Sequence, residues 1–190
     1  MKIGLFFGSF NPIHNGHLII AQAMLNYSEI EEVWFVVSPQ NPLKSSKSLI
    51  HHFDRIDMVE LAIESNDRFK ASDIEFNLPV PSYTIDTLAY ISQKHKKHDF
   101  KLIIGEDNLS IFPKWKNSEQ ILKYYGLLVY HRDGFSSDSP VEHNNIKYIK
   151  APLINLSATL IRRNLKERKS IKYLVPEKVE QFILERKLFV

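Results

Sequence analysis

The sequence predicts an α/β fold: a three-layer α/β/α domain around a mostly parallel sheet of about five or six strands. Two observations predict it. Short apolar runs rich in β-branched and aromatic residues alternate with segments of helical spacing along the whole chain, and Gly, Pro and Asn punctuate the joins. Ile3 to Phe7 is a short apolar run bounded by Gly8, as a buried strand requires, and Leu18 to Tyr27 carries apolar residues at helical spacing. Val33 to Val37 repeats the strand signature, and Pro39, Asn41 and Pro42 end it, so the chain opens with a βαβ unit of right-handed crossover. Asp54 to Ser65 reads as an amphipathic helix whose stripe is Ile56, Val59, Ala62 and Ile63, while Phe69 to Phe76 reads as a strand. Pro79 and Pro81 impose an extended loop. Thr84 to Gln93 is helical in pattern, and Phe100 to Ile104 is a continuous apolar strand. Gly105-Glu106-Asp107 then falls at the carboxyl end of that strand, where open α/β sheets gather their ligands. Glu119 to Tyr125 is a short helix, Leu127 to Tyr130 a strand, Arg132 to Asn145 a polar loop and Ile146 to Lys150 the last strand. Ser157 to Leu165 and Pro176 to Glu185 close the chain as helices, the second with proline at its first position.

The composition sets limits on the chemistry. The chain has 190 residues, 44% hydrophobic and 25% charged, with no internal repeat or linker-like stretch. One domain over residues 1–190 is expected, its C-terminal helices at about 157–187 packed on the core. There is no cysteine, which excludes a disulfide scaffold, a thiolate nucleophile and metal sites with sulfur ligands, and suits a reducing cytoplasm. A net charge of +3 matches an anionic small molecule. The richest basic run, Arg162 to Lys169, includes Glu167 and a leucine at helical spacing, so no nucleic-acid stripe is expected. Lys94 to His98 reads as a solvated helix end, and the adjacent His51 and His52 lack chelating spacing, so no protein metal site is expected. No apolar run approaches the ~18 residues that span a bilayer, and Lys2 leads straight into a strand without a signal-peptide cleavage pattern. The expected location is the cytoplasm, with no membrane partner.

The most informative stretch is Gly8-Ser9-Phe10-Asn11-Pro12-Ile13-His14-Asn15-Gly16-His17, between the first strand and the first helix. Gly8 lets backbone amides approach an anion, Pro12 sets the turn, and Asn15-Gly16 accept positive φ before the helix begins. A helix amino terminus carries about half a positive charge. A phosphate there would meet free N–H groups, that dipole and two imidazoles three residues apart. A lone histidine pair would more often cap a helix, but here seven positions (Gly8, Phe10, Asn11, Pro12, His14, Gly16 and His17) fit G-x-F-[DN]-P-x-H-x-G-H. At typical residue frequencies of ~5% a chance match in this length is on the order of 10⁻⁷. The stretch resembles the signature of the nucleotidyltransferase superfamily, whose HxGH element holds the triphosphate of ATP. Asn11 stands where that signature usually has Asp, keeping the turn chemistry without the charge.

Leu156-Ser157-Ala158-Thr159-Leu160-Ile161-Arg162 is similar to the superfamily's second signature, [IV]-S-[SA]-T-x-[IV]-R. Ser157 or Thr159 can cap the helix and donate to phosphate, and Arg162, one turn on, can present a guanidinium fork to the same oxygens. Further motifs narrow the resemblance to bacterial nicotinate-nucleotide adenylyltransferases over nearly the whole chain. Pro39-Gln40-Asn41-Pro42-Leu43-Lys44 resembles that family's P-x-x-x-P-P-H-K, with Leu43 in place of His. Pro81-Ser82-Tyr83-Thr84, Ile103-Ile104-Gly105-Glu106-Asp107 and Phe112-Pro113-Lys114-Trp115 follow in the family's order, with Lys116 where a second aromatic is frequent.

The resemblance implies a Rossmann-like fold and an ATP site of Gly8, Ser9, Phe10, His14, His17, Asp107, Ser157, Thr159 and Arg162. It also implies a mononucleotide site of Tyr83, Thr84, Trp115 and Lys44, with His14, His17, Lys44 and Arg162 in catalytic roles. Trp115 would stack on the pyridine ring and the Thr84 region would hold the nicotinate carboxylate. The implied partners are ATP with Mg²⁺ and nicotinate mononucleotide, a homo-oligomer being compatible. The implied products are deamido-NAD and pyrophosphate. A related adenylyl- or cytidylyltransferase with another phosphorylated acceptor, such as nicotinamide mononucleotide or phosphopantetheine, and a non-catalytic nucleotide sensor are the alternatives.

Overall fold

The computed structural model describes residues 1–39, 49–79, 82–131 and 143–190. Six strands form one sheet in the order β3-β2-β1-β4-β5-β6: β1 Lys2–Gly8, β2 Glu32–Val37, β3 Phe69–Ser72, β4 Asp99–Gly105, β5 Leu127–Tyr130 and β6 Ile146–Ile149. Every pair is parallel. The helices that connect them are α1 Asn15–Tyr27, α2 His52–Ile63, α3 Thr84–Lys94, the short α4 Glu106–Leu109, and α5 Ser118–Tyr124; α6 Ala158–Lys166 and α7 Glu177–Glu185 complete the chain. This is the doubly wound, Rossmann-like α/β/α arrangement that the alternating pattern predicts.

Strand alternation divides the core in two. Phe6, Phe35, Ile103 and Leu128 face one side, where they pack with Met24 of α1, Val59 of α2, Ile161 and Leu165 of α6, and Val179 and Ile183 of α7. Ile3, Leu5, Leu102 and Val129 face the other, against Leu88 and Ile91 of α3 and Ile121 of α5. Gly4 marks how tightly the first layer is closed, since a Cβ there would lie 2.6 Å from Ile30 Cδ1 and 2.7 Å from Ile103 Cδ1. The strand order reverses between β1 and β4, so their carboxyl ends diverge into a crevice. Every predicted site residue with a described position lines one of two cavities there.

Three elements differ from the sequence expectation. The segment Phe69 to Phe76 is strand only to Ser72, after which Ile74–Asn77 forms a 3₁₀ turn that carries Glu75 inward. The first helix starts at Asn15 rather than Leu18, which puts His17 inside its first turn. The basic run after α3 is not wholly solvated, because His95 and His98 pack edge-on against Trp34, at 5.0 and 6.1 Å between ring centroids. Among the described residues no helix is long and apolar enough to cross a membrane.

Candidate active site

The loop after β1 is shaped by packing from below. Phe10 adopts φ +44°, an uncommon conformation for a residue with a side chain. Its ring is 2% exposed and meets Phe35 and His17 edge-on at 5.6 and 5.1 Å. Burial of that ring offsets the backbone strain and fixes the loop's course. Gly8 makes room for it, since a Cβ there would sit 2.8 Å from Phe10 Cζ. Phe10 therefore borders the site with its ring engaged in the core.

His14 caps α1 and His17 lies one turn inside it, with their rings stacked 3.7 Å apart at 20°. Gly16 leaves space for the pair, as a Cβ there would fall 3.0 Å from His14 Nδ1. The His14 backbone N–H donates to His17 Nδ1 at 3.2 Å. With Nδ1 committed as an acceptor, neutral His17 carries its proton on Nε2, where it serves as a donor. The first helix N–H groups supply the accompanying partial positive charge.

The second signature reaches this loop across 151 positions of sequence. Arg162 Nη1 donates to the Asn11 carbonyl at 2.7 Å and Nη2 to Thr159 Oγ1 at 3.3 Å. Partial burial lowers the Arg162 pKa, yet a guanidinium stays charged at neutral pH. Ser157 Oγ caps α6 by accepting from the Leu160 N–H at 3.2 Å, which leaves its own O–H available to a ligand. Together with Asp107 of α4 and His131 after β5, which pairs with Glu106, these groups line a cavity of about 530 Å³.

A second cavity, of about 600 Å³, adjoins the first and shares the wall made by Phe7, Gly8, Ser9, Asn108 and Tyr130. Its other side is Tyr83 and Thr84 at the start of α3, and Trp115 after the 3₁₀ turn Phe112–Lys114. The Trp115 indole N–H is buried with no partner among the described residues. Lys116 does not open the pocket; its ammonium lies 4.7 Å over the Tyr83 ring and 2.8 Å from the Asp86 carboxylate. The predicted residues thus divide between two joined cavities, with Lys44 outside the described residues.

Sequence reasoning missed two buried charges. Arg55, 1% exposed, donates to the carbonyls of Ser9 (2.6 Å), Ser38 (2.7 Å), Pro39 (2.9 Å) and Ile50 (3.2 Å). Its burial pulls the pKa down to about 10. It ties the phosphate loop to the end of β2 and the approach to α2. A signal existed, because Arg55 lies three, four and seven residues before Met58, Val59 and Ala62 on the apolar face of its helix. Glu75 is the other, 2% exposed on the wall of the second cavity. Nothing in its local pattern marks it.

A doubly wound sheet with a donor-rich cavity at its switch point, opening into an aromatic one, is a nucleotide-binding arrangement, and comparison with known proteins makes it that of a nucleotidyltransferase. Residues 5–164 match the cytidylyltransferase-like family, to which the chain belongs. Within it, the chain belongs to the nicotinate-nucleotide adenylyltransferases. It is 59% identical over 189 residues to the probable nicotinate-nucleotide adenylyltransferase of Cytophaga hutchinsonii, covering 100% of this chain and 98% of the relative. It is 43% identical over 197 residues to the protein of the same name from Caldicellulosiruptor bescii, covering 100% and 99%. The fold is that of the Plasmodium falciparum nicotinic acid mononucleotide adenylyltransferase complexed with NaAD, with a TM-score of 0.84 at 20% identity over 99% of this chain and 97% of that one.

Proposed function

We propose that this chain transfers the adenylyl group of ATP to nicotinate mononucleotide, forming deamido-NAD and releasing pyrophosphate, in the cytoplasm. The observation that carries the proposal is the shared wall at Gly8 and Ser9. It sets a cavity of cationic and N–H donors directly beside one with an aromatic wall, as two substrates joined through phosphate require.

The nucleophile needs no base. A phosphate monoester has its second pKa near ~6 and is already ionised at neutral pH. Its oxygen attacks the ATP α-phosphorus in line, the bond from that phosphorus to the bridging oxygen breaks, and pyrophosphate departs with the electron pair. The chain's task is alignment and charge stabilisation. His17 Nε2–H, His14 and Arg162 face the triphosphate in this assignment, with Ser157 and the α1 amino terminus as neutral donors. Lys44 is assigned to the same charge, and Thr84 with Trp115 to the pyridine end.

Mg²⁺ fits as an ion carried by the triphosphate. Among the described residues Asp107 is the one acid lining the donor cavity, and no cluster of three His, Asp or Glu groups could hold a metal. One carboxylate plus phosphate oxygens and water is the donor set such an ion commonly takes, and it would supply further charge neutralisation on the phosphates.

The test is pyrophosphate release with ATP and Mg²⁺, comparing nicotinate mononucleotide, nicotinamide mononucleotide and phosphopantetheine. Release favouring the nicotinate substrate is expected. Release only with another acceptor would overturn the acceptor assignment, and ATP binding without release would overturn the transfer reaction.

A further inference from the structure

Glu75 is a buried carboxyl group for which the reaction above has no use. It sits on the 3₁₀ turn after β3, on the wall of the cavity formed by Tyr83, Thr84 and Trp115. The Thr87 hydroxyl donates to it at 2.7 Å, and Ser38 and Ser82 line the same cavity. Burial raises its pKa, and the Thr87 hydroxyl bond acts in the opposite direction. Removing a carboxyl group from water is costly even when hydrogen-bonded, and an apolar side chain would serve the fold alone at least as well. A buried acid at a cavity wall therefore points to function.

The identity of its partner indicates which function. Thr87 lies in the first turn and a half of α3, and Tyr83 and Thr84 at the start of that helix line the same cavity. Thr87 Oγ1 is also 3.4 Å from the Tyr83 carbonyl, which accepts from the Asp86 and Thr87 N–H groups at 2.9 and 3.2 Å. The carboxyl group thus ties the opening turn of α3 to the 3₁₀ turn after β3. Tyr83 and Thr84 stand at the amino terminus, where the first N–H groups of a helix lack an intrahelical acceptor.

We infer that Glu75 is a positioning and specificity-determining residue: it fixes the Tyr83–Thr84 turn at the amino terminus of α3 and so sets recognition of the acceptor's ring substituent, without acting on the ATP half of the site. The inference rests on the assignment of this cavity to the pyridine mononucleotide. Glu75 acts through Thr87 and not on the reacting phosphates.

The test uses the full chain and two readouts: binding of nicotinate mononucleotide and of ATP by calorimetry, and apparent KM and kcat from pyrophosphate release. Glu75→Ala is expected to weaken nicotinate mononucleotide binding and raise its KM about tenfold, with ATP affinity and kcat changed less than about twofold. The preference for nicotinate over nicotinamide mononucleotide should shrink by a similar factor, because the turn that reads the substituent is loosened. Glu75→Gln, which keeps an accepting oxygen, should stay within about threefold of the wild type, and Thr87→Val should move the same constants in the same direction as Glu75→Ala. Should Glu75→Ala fold poorly, Thr87→Val carries the test. Wild-type protein that binds ATP but not the mononucleotide would overturn the cavity assignment and this inference with it. Wild-type binding that Glu75→Ala and Thr87→Val leave unchanged, or variants in which both substrates weaken equally, would overturn the inference alone.

Discussion

Replacing Arg55 by methionine removes four hydrogen bonds from a site that is 1% exposed and strands the carbonyls of Ser9, Ser38, Pro39 and Ile50. A bond from a charged donor contributes about 1.5–3 kcal/mol. Against this stands the desolvation of the guanidinium, several kcal/mol, whose effect is the pKa drawn down to about 10. Methionine restores part of the apolar contact of the arginine stem. The net loss should be about 4 kcal/mol, since four buried carbonyls lose their donor and each stranded acceptor costs about 1–3 kcal/mol before relaxation. For a domain of this length that corresponds to a fall in Tm of about 8–16 °C. Arg55→Lys should fall between, because three donors on one nitrogen cannot reach four carbonyls spread around a planar fork. Since Ser9 belongs to the phosphate loop, ATP affinity should drop about tenfold in Arg55→Met. Thermal unfolding of both variants, with calorimetric ATP titration, measures each quantity. A Tm loss under about 3 °C with unchanged ATP affinity would refute the view that these bonds hold the loop.

His17→Ala should lower kcat by roughly 100-fold, about 3 kcal/mol, with Tm little altered, because it deletes one aimed donor; near-normal turnover would remove His17 from the charge-stabilising set. Trp115→Ala should raise the KM for nicotinate mononucleotide and spare that for ATP, whereas Trp115→Phe, which keeps a stacking face, should lie closer to wild type; steady-state kinetics with each substrate varied separates the two. Arg162→Lys should lose the two-point link between the Asn11 carbonyl and Thr159. Its kcat/KM for ATP should fall at least about tenfold despite the retained charge, and full activity in the lysine variant would show that charge alone suffices.

Much of this molecule was legible before its structure. The strand-and-helix alternation anticipated the layers, and the glycine that ends β1 marked the switch point, because both are local consequences of periodicity and backbone freedom. The two signatures were readable for the same reason: each is a short segment whose residue types suit an anion site. Other features were not local. The 3₁₀ turn at Ile74–Asn77 was read as strand because its apolar residues fit either state and only its packing beneath α3 decides between them. Ser157 and Thr159 could each have capped α6 or met phosphate; the structure gives capping to Ser157 and the Arg162 contact to Thr159.

The sequence by itself determined the order of elements, the anion-binding character of the first loop and the family. These depend on neighbours within about ten residues and on motif order. Only the tertiary structure decided that Arg162 grips Asn11, that the donor cavity and the aromatic cavity share one wall, that Arg55 is buried beneath Ser9 of that wall, and that Glu75 is buried at the aromatic cavity. The reason is physical. A charged side chain is tolerated in the interior only where carbonyls or hydroxyls from distant segments converge on it, and that convergence has no counterpart in local spacing.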